Sequence, residues 1–339
     1  MATSSVGPPR KAPFVLGRGS LTDGEVDALL EGAVICAADV GLLEVNGSGA
    51  VQCMQGLLTN DIESAGDGGV LYGAILTPKG MIVSDLWVTR TDGRLWLTVP
   101  SSAGSAVKAV FAKFLPPRIA KAEEHTANTA VLRMVGPAAS IVARQAGIAI
   151  PEPGDSDQII LGGTSCLVSR PSEAAFFNLQ MNIDRERTGA VYTLLEEAGA
   201  VRGTPAVLEL ARILSGWPRH GAEIDGRTLP QEVRFDEHDG VSYTKGCYTG
   251  QETVARLHFR GHPNKWLCGL IWEEEPDIRL EQVTQDGRQV GRVTSLTTVE
   301  PLNKQIGLAI IHRKADFERT LIASNAPAAA VPLPFELEA

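Results

Sequence analysis

The spacing of apolar residues along the first third of the chain predicts a compact unit of strands and one helix. Strands are predicted at 70–77, 81–89 and 95–99, separated by Pro-Lys-Gly and Asp-Gly turns. An amphipathic helix follows them, because apolar residues recur at helical spacing from Val107 to Leu115. This combination is typical of a small α+β sheet with its helices on one face.

A second unit of the same kind is predicted farther along the chain. Strands are expected at 129–135, 159–168 and 176–183. One helix is expected to begin after Asp184 and another at Pro205, since Pro is favoured at the first helical position. The two units look alike in predicted structure, although the sequence shows no repeat.

The segments on either side of these units have their own patterns. Thr22 and Glu25 predict a capping box that opens a short helix, and the apolar run 33–45 predicts a single strand. After Pro263 the sequence predicts strands and almost no helix, with strands at 267–272, 288–296 and 305–311. A closed or nearly closed β-barrel with a loose tail fits that pattern.

Composition excludes several classes of function. With 44% hydrophobic and 21% charged residues, the chain can fill ordinary cores. A net charge of -9 argues against broad nucleic-acid binding, which needs a surplus of Lys and Arg. The segment 256–265 is an exception, because it has no acidic residue. It is either a focused anion site or a solvated basic loop.

Cysteine usage and hydropathy favour a cytoplasmic location. The five cysteines are scattered without a C-x-x-C pair, which favours free thiols in a reducing compartment. No run of 18 apolar residues and no signal-like apolar core are present, so no membrane association is expected. Cys247, His258, His262 and Cys268 lack the paired cysteines of most structural zinc sites, and no metal site is predicted.

The segment 245–252, with the sequence Lys-Gly-Cys-Tyr-Thr-Gly-Gln-Glu, holds a dense set of reactive groups. Thr249 and Glu252 predict a capping box, which would place Cys247 just before a helix N-terminus. That position and the nearby Lys245 would favour the thiolate. Cys247 is therefore either a reactive or ligand-facing thiol, or a small buried apolar residue.

This octapeptide resembles the signature of the YgfZ family, a branch of the superfamily that includes the glycine cleavage T-protein. Supporting similarities lie at Met54–Asp61, Lys79–Leu86, Thr228–Glu232, Gly291–Ser295 and Ile306–Ala309. The resemblance implies a three-domain ring of two small ferredoxin-like α+β domains and a C-terminal β-barrel around a tetrahydrofolate site. It also implies a role in making or repairing iron–sulfur proteins, with iron–sulfur client or assembly proteins as partners.

The expected domains follow from combining the pattern with this resemblance. Residues 1–20 are expected to form a mobile leader. The other assignments are 21–45 with 126–235 for the first α+β domain, 46–125 with 236–260 for the second, and 261–339 for the barrel.

Two positions depart from the T-protein pattern that the family resembles. Where relatives have two acids, this chain has Ser84 and Asp85. Where they have a glutamate that grips the pterin, it has Gln180, which offers one acceptor and a donor instead of a carboxylate. Both changes move the expectation away from an efficient aminomethyltransferase. Asp85 could hold a proton beside a bound folate, or could simply satisfy backbone amides.

The resemblance assigns the candidate site residues. The catalytic candidates are Cys247, Lys245 and Asp85. The candidates for binding tetrahydrofolate, or a polyglutamylated folate, are Asp85, Gln180, Arg212, Glu232, Gln251, Glu252 and Arg256. The leading hypothesis is a folate-binding protein that supports iron–sulfur cluster assembly or repair through Cys247. The alternatives are a folate-dependent aminomethyltransferase and a non-catalytic scaffold that binds no folate.

Overall fold

The computed structural model describes residues 14–16, 20–299 and 304–336. Most of the expected leader at 1–20 lies outside these residues. Its segment Phe14–Leu16, however, forms a strand that pairs with the barrel. Among the described residues, no helix has the length and apolar character needed to cross a membrane.

The regular elements alternate along the described chain. The strands are β1 (Phe14–Leu16), β2 (Val34–Ala37), β3 (Val40–Asn46), β4 (Val70–Leu76), β5 (Ile82–Thr91), β6 (Arg94–Pro100), β7 (Lys121–Glu124), β8 (Thr129–Val135), β9 (Ser156–Leu161), β10 (Thr164–Ser169), β11 (Leu179–Asp184), β12 (Val201–Arg202), β13 (Lys265–Trp272), β14 (Gln282–Gln285), β15 (Arg288–Val299), β16 (Lys304–His312), β17 (Leu321–Ala323) and β18 (Ala326–Val331). The α-helices are α1 (Asp23–Glu31), α2 (Ala50–Gln55), α3 (Ile62–Ala65), α4 (Gly104–Phe114), α5 (Ala139–Gln145), α6 (Thr188–Glu197), α7 (Pro205–Ser215) and α8 (Gln251–Arg260). Single 3-10 turns lie at Ser101–Ala103, Arg185–Arg187 and Pro230–Val233.

These strands form two open sheets and a closed barrel. The first sheet has the order β12-β2-β8-β11-β10-β9, and the second has the order β4-β5-β6-β3-β7. In the barrel β15 pairs with both β14 and β16, which closes the ring of β13 to β18. The predicted α+β class, with two small sheets and a C-terminal barrel, is confirmed.

The apolar run 33–45 is two strands rather than the predicted one. Val34–Ala37 belongs to the first sheet, whereas Val40–Asn46 pairs with β6 and β7 in the second. Both strands are largely buried and only Asp39 interrupts the apolar residues between them, so hydropathy alone does not separate the two strands. The domain boundary expected at residue 45 therefore separates β3 from its own sheet.

The run 159–168 is likewise not a single strand. Gly162 and Gly163 both take positive φ angles, of 58° and 77°, and close a hairpin between β9 and β10. Two consecutive glycines between apolar strands are a known signal for a hairpin. The hairpin adds β9 as an edge strand to the first sheet.

The capping box at the first helix forms as predicted. The Glu25 backbone N–H donates to Thr22 Oγ1 at 3.2 Å, and the Thr22 N–H donates to Glu25 Oε2 at 2.8 Å. The other carboxylate oxygen of Glu25 accepts from the Thr204 N–H at 2.7 Å, just before α7. Glu25 thereby fixes the start of α7, which forms one wall of the cavity described below.

Candidate functional site

A cavity of about 790 Å³ lies where the two open sheets, α7 and the segment after it meet. Its lining comes from widely separated parts of the chain. The residues are Val15, Leu16, Ser20, Ala38–Val40, Asp85–Trp87, Thr98, Pro100–Ser102, Arg133, Phe176, Pro205, Ala206, Leu208, Glu209, Arg212 and Trp217–Ala222. Its volume is within the range of small-molecule sites.

Strand alternation places Asp85 and Trp87 on the same face of β5. Thr98 lies directly opposite Trp87 on the neighbouring strand and joins that face. Thr98 Oγ1 lies 3.5 Å from Gln180 Oε1 on β11, so the first sheet packs against this face of the second sheet. The polar residues of the two sheets therefore meet at the cavity wall.

Aromatic rings form much of the wall beside Asp85. Trp87 and Trp217 stack with their ring centroids 5.7 Å apart, and Phe176 lies 5.6 Å from Trp217. Tyr72 packs behind them, with its ring centroid 4.7 Å from that of Trp217. Such a wall suits a flat, aromatic or heteroaromatic ligand, since stacked and tilted ring pairs are favourable at these separations.

Asp85 is a carboxylate buried beside this aromatic wall. Its Oδ2 accepts a hydrogen bond from the Tyr72 hydroxyl at 3.1 Å, while its Oδ1 is buried without a partner among the described residues. Burial raises the pKa of Asp85 to about 6, although Tyr72 and the guanidinium groups of Arg133 and Arg212 act in the opposite direction. The group can therefore gain or lose a proton near neutral pH.

Gln180 lies behind the cavity wall rather than on it. Its Oε1 accepts two hydrogen bonds from Arg133, from Nε at 3.1 Å and from Nη2 at 3.0 Å. The Arg133 guanidinium, held over the Phe177 ring at 4.1 Å, is the group that lines the cavity. Burial lowers the pKa of Arg133 to about 10, so it stays charged at neutral pH. The side-chain oxygen of Gln180, which is expected to contact a pterin, accepts from Arg133 in this structure.

Arg212 lines the cavity, but its donors are occupied by protein groups. It donates to Glu209, to the Trp217 carbonyl, to Glu223 at 3.1 Å and to the Ser295 hydroxyl at 2.8 Å. Burial alone would lower the pKa of Arg212, but the carboxylates of Glu223 and Glu209 outweigh it and raise the pKa. Arg212 therefore ties α7 to the barrel strand β15.

The signature segment 245–252 joins other motifs quoted above. The Lys245 ammonium donates to the carbonyls of Gln55, Leu58 and Asn60, at 2.7, 2.8 and 2.6 Å. Burial lowers the pKa of Lys245 to about 8, which leaves it protonated at pH 7. Its donors satisfy the last carbonyl of α2 and two carbonyls of the loop that follows, so Lys245 contacts backbone rather than the thiol.

The helix after the signature begins differently from the prediction. Gly250, with a φ angle of 84°, is the N-cap of α8, and no side chain caps it. Thr249 instead donates its N–H to the Gly56 carbonyl, so the predicted capping box is wrong. The Gly250 backbone packs so tightly that an added Cβ would lie 2.5 Å from the Thr77 carbonyl oxygen. Only glycine fits there.

Cys247 is exposed and is not among the residues that line the cavity. This corrects both the expectation that it faces the folate pocket and the alternative that it is a buried apolar residue. The tight packing around Lys245 and Gly250 leaves the intervening thiol on the surface.

Four further candidates also lie outside the cavity lining. Gln251, Glu252 and Arg256 lie on α8, with the last two exposed. Glu232 accepts the Leu229 N–H at 3.0 Å and pairs with Lys265 at 3.4 Å. The structure thus brings Asp85 and Arg212 together in one cavity, with Gln180 behind its wall, but not the remaining candidates.

Sequence reasoning missed Arg133 and the aromatic wall. Arg133 lies inside the apolar strand Thr129–Val135, and a lone arginine in a buried strand was a usable signal. Trp217 follows the glycine that ends α7, and Tyr72 lies in the fully buried strand β4. Nothing in their local sequence shows that their rings meet, because the contacts join distant parts of the chain.

Comparisons with known proteins agree with this architecture. Residues 20–237 match the family model described as the GCVT N-terminal domain. A tRNA-modifying protein YgfZ from Serratia proteamaculans is 30% identical over 274 residues, covering 77% of this chain and 79% of that protein. An aminomethyltransferase from Frankia alni is 27% identical, covering 88% and 82%. The crystal structure of aminomethyltransferase T of the glycine cleavage system from Bartonella henselae superposes with a TM-score of 0.78 at 19% identity, covering 95% and 91%.

Proposed function

The chain belongs to the YgfZ branch of the GCVT family, and from that membership we propose that it binds tetrahydrofolate and supports iron–sulfur cluster assembly or repair in client enzymes. The observation that supports folate binding best is the aromatic cavity with the buried carboxylate of Asp85. The relative from Serratia is named a tRNA-modifying protein. Enzymes that modify tRNA are therefore candidate clients.

The cavity has the features that a reduced folate needs. A pterin ring is flat and carries several N–H donors, and the wall offers Trp87, Trp217 and Phe176 for stacking beside a carboxylate oxygen of Asp85 without a partner. The volume of about 790 Å³ can also take part of the aminobenzoate and its tail. Bound tetrahydrofolate would supply a carrier for a one-carbon unit.

The residues of the chain would orient and protonate this ligand. Asp85, with its pKa raised to about 6 by burial, would accept an N–H of the pterin or hold a proton beside a ring nitrogen. Arg133, positioned by Gln180, would supply a fixed positive charge at the same wall. The tight aromatic packing around Asp85 would exclude water.

Cys247 would act at a different face, toward client proteins. Its exposure suits contact with another macromolecule, and the three hydrogen bonds of Lys245 make the surrounding segment rigid. In this proposal the folate and the thiol act from separate places on one protein. The thiol does not react with bound folate.

Calorimetry with tetrahydrofolate tests the binding half of the proposal. Wild-type protein is expected to bind one equivalent, and Asp85→Asn and Trp217→Leu are expected to weaken binding at least about tenfold. Arg256→Ala is the matched control, because Arg256 lies outside the cavity lining and its loss should leave affinity unchanged. Absence of binding by the wild type would support the scaffold alternative.

Complementation of a deletion strain tests the role of the thiol. Cys247→Ala is expected to leave iron–sulfur enzyme activities low, whereas Cys53→Ala, which removes another partly accessible thiol, should restore them. Both variants are compared at equal protein levels. Full restoration by Cys247→Ala would show that the signature thiol has no such role.

The structure also supports a test of the aminomethyltransferase alternative. Asp85 lies in the cavity with a pKa suited to proton transfer, and relatives such as the one from Frankia alni are named aminomethyltransferases. This activity would appear as methylene-tetrahydrofolate formed from an aminomethyl-loaded carrier protein, and Asp85→Asn should abolish it. No product with the wild-type protein would exclude this activity.

A further inference from the structure

Two acidic residues face each other across the pairing of β3 and β7. Glu44 and Glu123 are directly opposite in the antiparallel register of these strands. Like charges at directly opposed positions destabilise a strand pair. The Glu44 side chain is only 5% exposed, so water can screen its charge only weakly. The pair needs a positive partner.

His125 lies beside this pair. Its backbone N–H donates to the Leu42 carbonyl at 2.9 Å, which continues the pairing with β3 beyond the end of β7. Its ring packs edge-on against Trp96, with centroids 5.1 Å apart. The imidazole is thereby held over the two carboxylates, and one potential ligand atom from each of the three side chains lies within 4.8 Å of the others.

The Nε2 atom of His125 lies close to Glu44 without forming a hydrogen bond. Its Nε2 lies 3.0 Å from Glu44 Oε2, yet it is buried and has no hydrogen-bond partner of acceptable geometry among the described residues. Two ligands of one zinc ion, each about 2.1 Å from the metal, are separated by roughly 3 to 3.4 Å. The observed separation matches that of two donor atoms on a shared ion.

The charges around the cluster leave room for a cation. Glu44 Oε1 accepts from Arg94 and from Asn46, both at 3.3 Å, which leaves Oε2 directed to His125. Arg94 is largely exposed and compensates only one of the two carboxylates. The neighbouring Glu124 is already paired with Lys108 at 2.9 Å.

We propose that Glu44, Glu123 and His125 bind a divalent transition-metal ion of the zinc or manganese class. One imidazole with two carboxylates suits these ions better than calcium or magnesium, which prefer oxygen ligands alone. Glu123 is exposed and can rotate to complete three protein ligands, with water in the remaining positions. None of the three residues lines the cavity proposed for folate, so the ion would tie the edge strand β7 to β3.

Titration of metal-free, full-length protein with zinc chloride, and separately with manganese chloride, tests this site. One ion is expected to bind per chain, and His125→Ala and Glu44→Gln are expected to weaken binding at least tenfold. Glu124→Gln on the same strand and His262→Ala on the surface are matched controls that should bind as the wild type does. All proteins carry Cys247→Ser, so that the exposed thiol cannot account for the signal.

Thermal unfolding gives a second readout that does not depend on calorimetry. A saturating ion should raise the unfolding temperature of the parent protein by a few degrees, because it binds only the folded chain. The same ion should leave the unfolding temperature of Glu44→Gln unchanged. Metal-free scans show whether each variant folds. Equal binding by His125→Ala and the parent, or no binding of either ion at millimolar concentration, would overturn the proposal.

Discussion

At the scale of single residues, the burial of Asp85 lowers the stability of the fold. Burial raises its pKa from 3.8 to about 6, so the folded chain holds the proton more tightly than the unfolded chain does. At about 1.4 kcal/mol per pKa unit, this difference means that the free energy of unfolding is roughly 3 kcal/mol lower when the carboxyl group is ionised than when it is protonated. A carboxylate kept at that cost is typical of a functional position.

Replacing Asp85 by Asn should therefore stabilise the protein in a pH-dependent way. The stability linked to the carboxyl proton is fully present below pH 3.8 and is lost as the pH rises through 6. Asp85→Asn removes that loss, so its free energy of unfolding should exceed that of the wild type by about 1 to 3 kcal/mol at pH 8. The difference should shrink towards pH 4 in denaturant titrations. The exposed Asp67→Asn serves as the control.

The sequence identified some site residues and not others for a physical reason. Asp85 and Gln180 were found through motif resemblance, and both lie at or behind the cavity wall. Cys247 was assigned to the same site through the same resemblance, but a sequence motif does not show which way a loop side chain points. That direction is set by Lys245 and Gly250, whose contacts are with residues far away in the sequence.

At the scale of elements, the signature segment and α2 form one unit. Three carbonyls near the end of α2 have the Lys245 ammonium as a partner, and its charge strengthens each bond. The Gln55 carbonyl is one of the helix-end carbonyls that side chains or water must satisfy, and the Leu58 and Asn60 carbonyls lie in the loop that follows. The lysine of the signature thus has a structural function that is separate from the thiol two residues later.

Lys245→Met should therefore destabilise the protein strongly, while Cys247→Ala should not. Methionine keeps the length of the side chain but leaves the three carbonyls without their donor, which should cost roughly 2 to 4 kcal/mol of unfolding free energy. Cys247 is exposed, so its replacement should leave the unfolding midpoint close to that of the wild type. Urea titrations of the two variants make the comparison. Equal stability of both variants would show that the lysine contributes nothing to the fold.

Element boundaries were predictable only where local sequence determines them. The capping box at Thr22 formed as expected, because both of its hydrogen bonds lie within one turn. The box at Thr249 did not form, since the Thr249 backbone pairs with Gly56 instead. The apolar run 33–45 did not reveal that the chain passes from the first sheet to the second, because the pairing partners of its two strands lie elsewhere in the sequence. In both cases tertiary contacts decided the outcome over the local preference.

At the scale of the whole molecule, the cavity exists only because elements from distant parts of the chain pack together. Its lining draws on both open sheets and on α7, and Arg212 connects α7 to the barrel. The class of each unit could be predicted from hydropathy and resemblance. A central ligand site was expected from the resemblance alone. Most of its lining could not be predicted, because residues as far apart as Asp39 and Trp217 meet there only through tertiary packing.

Substitution of Arg212 tests whether its contacts hold α7 against the barrel. Its partner Glu223 is completely buried and is also held by Ser295, so Arg212→Met would leave a charge without its counterion and should cost about 3 to 5 kcal/mol. Glu223→Gln removes that charge, and the double variant should therefore lose less stability than the sum of the single losses. Arg319→Met, which breaks only the exposed pair with Asp286 on the barrel, should leave the unfolding free energy unchanged.

The affinity for tetrahydrofolate should change across these variants in the same order as their stability. Arg212 positions the cavity wall that the ligand would contact. Arg212→Met is expected to weaken tetrahydrofolate binding, and the double variant to recover part of the affinity in calorimetry. Strictly additive losses in denaturant titrations would mean that Arg212 and Glu223 act independently. The joint between α7 and the barrel would then depend on apolar packing, such as that of Ile213 and Leu308 in the shared core, rather than on this buried ion pair.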